Sequence, residues 1–213
     1  KIICTSKYVK SQLLSIVKEE KKLLMIPNPI DLNKIQQLSK VMLDVMPSAF
    51  EGHTLVSVGR LIPAKGFDIL IKAFGQLNNR STCRLIIIGE GPERSKLEEL
   101  IKSLELKGQV LLLGYCENPY PIMSLSELYI LSSRWEGYVN TVIEAMALNM
   151  TIVATDCNSE PGAILRDELG EELVAIEDCS ALARAIEHAL LSDNKIDYKS
   201  VLSRHELSLA GEQ

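Results

Sequence analysis

The chain has 213 residues, 46% hydrophobic and 24% charged, which excludes disorder and leaves enough apolar surface for a core that needs no disulfide or metal. Its 23 Lys+Arg against 28 Asp+Glu give a net charge of −5, which argues against a general nucleic-acid binder. The longest stretch without a formal charge, Ala145–Thr155, is far short of the ~20 apolar residues of a membrane-spanning helix.

From the N-terminus, apolar runs alternate with amphipathic segments. The expected order is strand Lys1–Cys4, helix Ser6–Glu20, strand Leu23–Ile26, strand Thr54–Val58, helix Asp68–Leu77, strand Arg84–Ile88, helix Glu93–Ser103 and strand Val110–Leu113. Strand Leu128–Leu131, helix Thr141–Leu148, strand Thr151–Ala154, strand Leu173–Ile176, helix Ser180–Leu191 and a polar helix near Tyr198–Leu209 complete it. The interior strands are continuous apolar runs, the mark of a parallel sheet covered on both faces, so the expected fold is a doubly wound α/β sheet. Ile26-Pro27-Asn28-Pro29-Ile30-Asp31 interrupts the pattern, because two prolines exclude helix, and Met46–His53 reads as a second loop.

The cysteines (Cys4, Cys83, Cys116, Cys157 and Cys179) are odd in number and form no C-x-x-C pair. They read as reduced thiols of a cytoplasmic protein. His53, His188 and His205 share no ligand spacing, so no zinc site is expected. The chain opens on Lys1 without a signal-peptide pattern and reads as a piece of something longer.

Three apolar runs end on a glycine, at Gly59, Gly89 and Gly114. Ligands of open parallel sheets bind beyond the carboxyl ends of the strands, and glycine there allows close approach to the backbone. Arg60 follows the first glycine and Lys65 the next turn, a pair of cations suited to a diphosphate or else two solvated surface charges. Glu144 is the only charged residue between Glu136 and Asp156. Its carboxylate either closes a capping box with Thr141 or accepts hydrogen bonds from ligand hydroxyls. Glu136 precedes that helix, where a loop acid is favourable and where backbone N–H groups hold an anion. Two cations, a helix N-terminus and two carboxylates suit a sugar joined to a diphosphate.

At this point the sequence resembles the retaining GT-B glycosyltransferases of family 4. Ser57–Phe74 looks like that family's phosphate-binding strand, loop and helix, and Leu85–Pro92 is similar to its next strand and turn. Glu136 and Glu144, eight apart, match its E-x7-E signature, and Ile26–Asp31 resembles the linker between its two Rossmann-like halves. The resemblance implies residues 1–30 as the tail of an acceptor-binding domain plus linker, 31–192 as the nucleotide-sugar donor domain and 193–213 as a C-terminal helix and tail.

By the same likeness Arg60 and Lys65 hold the diphosphate, Glu136 accepts from hydroxyls of the transferred sugar, and Glu144 accepts from the ribose. Gly59 and Glu90 line the site, while Gly137, Tyr138, Val139, Asn140 and Thr141 form the phosphate cradle. The base lies near Gly114, Tyr115 and Cys116. Transfer with retention, without a metal or other cofactor, to a glycan or lipid-linked acceptor is implied. The likeness is nearest to enzymes that build bacterial surface polysaccharides from UDP-sugars. The acceptor-binding domain, and any peripheral membrane contact, would belong to a missing N-terminal half. Val139 and Asn149 depart from the usual Pro or Gly, and Glu160–Leu165 from the commoner Gly-Pro-Arg-Glu-Ile-Leu. A GT-B nucleotide-sugar epimerase, or a nucleotide-sugar-binding module without activity of its own, stays open. A lone dehydrogenase domain is disfavoured because no G-x-G-x-x-G follows the first strand.

Overall fold

A computed structural model describes residues 1–5, 7–26, 28–41, 50, 52–138, 140–157, 165, 172–192 and 196–203. Two parallel sheets are present among them. The small one pairs β1 (Ile2–Cys4) with β2 (Leu23–Met25), joined through helix α1 (Lys7–Val17). The large one holds β3 (His53–Val58), β4 (Cys83–Ile88), β5 (Val110–Gly114), β6 (Leu128–Leu131), β7 (Thr151–Thr155) and β8 (Leu173–Val174), in the order β5-β4-β3-β6-β7-β8. Every ladder in it is parallel. The order runs outward from β3 in one direction and from β6 in the other, so the doubly wound topology reverses between these two strands.

Both faces of the large sheet are buried, which is why its strands are apolar at consecutive positions. On one face Leu55, Leu85, Ile87, Leu128, Ile130 and Val153 pack on helices α3 (Phe67–Gly75), α4 (Arg94–Ser103) and α7 (Cys179–Leu191). On the other, Val56, Ile86, Ile88, Tyr129, Leu131 and Ile152 meet α2 (Leu32–Leu38), α5 (Tyr120–Leu125), α6 (Asn140–Ala147) and the short α8 (Lys199–Leu202). Within each strand successive residues go to opposite sides, as a pleated strand requires.

The expected strands and helices are found with ends shifted by a few residues, apart from two helices absent from the expected order. The first is α2, whose N-terminus is capped by Asp31 at the end of the proline-rich segment; its carboxylate accepts from the Lys34 N–H at 2.9 Å. The second is α5, which carries Pro119 at its cap and Pro121 in its first turn, where a missing N–H costs nothing. The segment whose prolines exclude helix thus ends in the cap of one helix, and prolines themselves open the other. His53 begins β3 rather than ending a loop, while most of that loop candidate, residues 46–49 and 51, lies outside the described residues. The last helix is described only over Lys199–Leu202, and the remainder of the Tyr198–Leu209 expectation also lies outside. The strand expected over Leu173–Ile176 ends at Val174, and Glu177 beyond it takes a left-handed backbone conformation (φ 63°).

Candidate functional site

The carboxyl ends of β3 and β6, on either side of the topological reversal, carry the segments 59–66 and 132–138. These two segments are bound to each other. The Arg134 N–H donates to the Ala64 carbonyl at 2.8 Å, and the Ser132 hydroxyl donates to the Lys65 carbonyl at 2.9 Å. A Cβ on Gly66, whose φ is +61°, would lie 2.1 Å from the Ser132 oxygen, so only glycine permits this approach.

The backbone contacts bring Lys65 and Glu136 together: Lys65 Nζ donates to Glu136 Oε1 at 2.6 Å. The Ser133 hydroxyl donates to the same oxygen at 2.5 Å. The pair is well shielded, with side-chain exposures of 20% for the lysine and 9% for the glutamate. Oε2 of Glu136 accepts nothing among the described residues, so one lone-pair face of the carboxylate stays available. A Lys ammonium has three donors and one is used here. Lys65 is therefore not one of two independent surface cations. Arg60 is the contrast: it is exposed and its guanidinium makes no hydrogen bond or ion pair among the described residues.

The three strand-end glycines do different things. A Cβ on Gly59 would press on Lys65 Cε at 3.2 Å, so this glycine makes room for the lysine stem. Gly89 backs directly onto Gly59. Over Gly114, with φ +92°, lies the Glu90 carboxylate, bound in a fork by Arg94 at 2.6 and 2.9 Å. That fork holds the Glu90 carboxyl below the usual carboxylate range. Of the residues implied for the base, Tyr115 is exposed and the Cys116 thiol donates to the Asn118 carbonyl at 3.2 Å.

Along the expected phosphate cradle, a Cβ on Gly137 would meet nothing within 4 Å, so the backbone there is open to a ligand. Tyr138 is half-buried, and Val139 lies outside the described residues. Asn140 opens α6, and its Oδ1 accepts from the Asn28 amide at 3.2 Å, which ties the proline-rich segment to the site. Thr141 does not form the capping box. It already sits inside the helix, and its hydroxyl oxygen accepts from the buried Tyr129 hydroxyl at 2.7 Å.

Glu144 looks instead into a cavity of about 380 Å³ lined by Asn28, Asp31, Lys34, Tyr120 and Asn140 among others. Burial pushes its carboxyl up, and a hydrogen bond from the Tyr120 hydroxyl only partly offsets this. Burial, and after it the neighbouring Glu144 carboxylate, push the tyrosine up to about 12. Sequence reasoning missed Tyr120, at the start of α5, and Arg134, in the segment after β6, both far in the chain from their partners. A single Tyr after Asn-Pro carries no signal, and Arg134, though two residues before a site glutamate, gives none of its partners away.

A six-stranded doubly wound sheet with an acid, a lysine and an open glycine at its reversal point is a nucleotide-type crevice on an α/β half-domain. Comparison identifies its kind. The model of the family described as glycosyl transferases group 1 matches residues 47–202. The chain belongs to this family of GT-B-fold glycosyltransferases.

It is 36% identical over 166 residues to an uncharacterized glycosyltransferase of Methanocaldococcus jannaschii, covering 76% of this chain and 40% of that protein. It is 34% identical over 176 residues to the N-acetylgalactosamine-N,N'-diacetylbacillosaminyl-diphospho-undecaprenol 4-alpha-N-acetylgalactosaminyltransferase of Campylobacter jejuni, covering 83% of this chain and 46% of that one. The chain thus spans less than half the length of these two relatives. In fold it is similar to Anabaena HepE, solved in complex with UDP and glucose, with a TM-score of 0.82 over 99% of this chain and 60% of that one at 21% identity. Among the described residues no helix is long and apolar enough to cross a membrane, and no group of three or more His, Cys, Asp or Glu side chains is placed to hold a metal ion.

Proposed function

We propose that this domain binds a nucleotide-diphosphate sugar, with UDP as the nucleotide, and serves a glycosyltransferase that delivers the sugar with retention to a glycan or lipid-linked acceptor. The observation that carries this reading is the Lys65–Glu136 pair at the topological reversal. One carboxylate oxygen is fixed by Lys65 and Ser133, and the other is left for a sugar hydroxyl. The two spare donors of Lys65, together with Arg60, which has no partner among the described residues, suit the diphosphate, so the leaving phosphate and the sugar meet between neighbouring side chains. The lysine and arginine stabilise charge as it develops on the departing nucleoside diphosphate.

Glu144, with Tyr120 beside it, suits the ribose hydroxyls, and Gly137 leaves backbone amides exposed to a phosphate oxygen. The relatives' names, which place one of them on an undecaprenol-linked glycan, favour bacterial surface polysaccharide as the product. The residues implied for a donor domain, 31–192, hold the whole large sheet. Residues 1–30 carry the separate β1–β2 pair, which fits the end of an acceptor-side domain. By itself this chain is expected to transfer negligible sugar, because the acceptor would have to be held across the crevice; robust turnover by the isolated chain would overturn that expectation.

Calorimetric titration with UDP, GDP and ADP tests the reading. Selective binding of UDP is expected, and Glu144→Gln is expected to weaken it by about 10- to 100-fold, the loss of a hydrogen bond to a charged group. Failure to bind any of the three would sink the proposal.

The pH dependence follows from burial of Glu144. The folded chain holds this proton more tightly than the unfolded chain does. Ionised Glu144 therefore subtracts from stability at neutral pH, and the subtraction disappears as the pH falls through its raised titration. Glu144→Gln should consequently raise the unfolding midpoint of the ligand-free chain at pH 7 while weakening UDP. UDP affinity of the parent should begin to fall at a pH above the usual carboxylate range, and an unfolding midpoint lowered by Glu144→Gln would contradict the account.

A further inference from the structure

Arg134 is the most heavily committed side chain near the crevice. Its Nη1 donates to the Pro63 carbonyl at 2.7 Å and to Asp68 Oδ1 at 2.8 Å. Its Nη2 donates to Asp68 Oδ2 at 2.9 Å and to Glu177 Oε2 at 3.3 Å, and its Nε to Glu177 Oε1. Each of the five N–H donors of a guanidinium thus has an acceptor, and no donor remains for a ligand. Arg60, at the same end of the sheet, has no hydrogen-bond or ion-pair partner among the described residues. The two arginines are built for opposite tasks, one for a substrate and one for the protein.

The acceptors of Arg134 identify its task. Pro63 and Asp68 flank Lys65, one in the turn that carries the lysine and the other in the first turn of α3. Arg134 itself lies two residues before Glu136, so its guanidinium joins the segment that bears the lysine to the segment that bears the glutamate. The third anchor, Glu177, holds its backbone at φ 63°, a region L-residues avoid. Its carboxylate is gripped by the Arg134 guanidinium through both oxygens. Burial pushes the Asp68 carboxyl up, but Arg134, together with Lys72 and a backbone hydrogen bond, brings it below the usual carboxylate range.

We propose that Arg134 is a positioning residue: a guanidinium clamp across segments 63–68, 134–136 and Glu177 that sets the Lys65 ammonium against the Glu136 carboxylate. This deepens the donor-site reading and rests on it only for the functional consequence, since the geometry of the lysine can be read without ligand. Lysine in place of Arg134 would keep the charge but not the fork, and so would not replace it.

The test has a ligand-free arm and a nucleotide arm. In the first, the chain is treated with an acetylating reagent and the acetylation rate of Lys65 is followed by mass spectrometry. Arg134→Gln and Arg134→Lys are both expected to raise that rate by at least about threefold while the far-UV circular dichroism stays native, because an ion-paired amine is a poor nucleophile. In the second, Arg134→Gln is expected to weaken UDP by about tenfold in the parent and by less than about twofold in a Lys65→Met background.

An unchanged Lys65 rate, or an Arg134→Gln effect that adds fully to that of Lys65→Met, overturns the clamp. If Arg134→Gln does not fold, Asp68→Asn and Glu177→Gln each release one side of the fork, and the same two outcomes decide. Absence of UDP binding by the parent would condemn the donor-site reading, and the acetylation arm would still judge the clamp.

Discussion

Lys65→Met is expected to lower sugar transfer by about 10²–10³-fold in an active enzyme carrying this domain, the usual loss when one preorganised charge facing a transition state is removed. The ammonium is held in place before any ligand arrives, because Glu136 and the carbonyl contacts of segment 63–66 fix it, so no reorganisation is needed at the moment of reaction. The substitution also leaves the largely buried Glu136 carboxylate with Ser133 as its remaining donor among the described residues, and removing one partner of a buried pair costs roughly 3 kcal/mol. Lost activity could then be mistaken for lost structure.

The Lys65→Met, Glu136→Gln double variant separates the two effects. With the stranded charge removed, its unfolding free energy should return most of the way to the parent, while transfer stays at least 10²-fold down. Steady-state rates alongside urea unfolding decide the matter. A single variant within threefold of the parent rate would refute the electrostatic role.

Gly89→Ala is expected to be the most damaging single-methyl change in the described crevice, destabilising the chain by about 2–6 kcal/mol. A backbone held in a sparsely populated region costs of order 1–3 kcal/mol, and forcing extra volume into a packed site costs a similar amount. Both apply here. Gly89 has φ +144°, and a Cβ on it would lie 1.9 Å from the Gly59 carbonyl oxygen, which is backbone and has little room to move. The Gly89 N–H also donates to the Gly114 carbonyl at 2.8 Å, so displacement of residue 89 disturbs two neighbouring strand ends at once. Gly137→Ala, where a Cβ meets nothing, should by comparison change stability by less than about 0.5 kcal/mol and reveal itself only in UDP affinity. Equal unfolding midpoints for Gly89→Ala and the parent in a thermal melt would overturn this account.

The apolar runs of the sequence sufficed to place the strands of the large sheet and its doubly wound class, because a strand buried on both faces must be apolar at consecutive positions and few other structures demand that. They also put Gly59, Gly89 and Gly114 at the carboxyl ends of β3, β4 and β5, where a sheet of this class opens. Local sequence was misleading where the partner of a residue is distant. Helix α5, opened by Pro119 and Pro121, is absent from the expected order, and of the two readings open for Glu144 the capping box fails because Tyr129 holds the Thr141 hydroxyl inside the helix.

Lys65 and Arg60 look alike in the chain. They differ only once β3 and β6 stand side by side and bring residue 65 to residue 136 while leaving residue 60 in solvent. The role of Arg134 is likewise invisible until three separated segments converge on one guanidinium. Periodicity reports whether a position is buried, since burial is a property of each side chain. Pairing is a property of two residues far apart in sequence, and it exists only after the strands have taken their order.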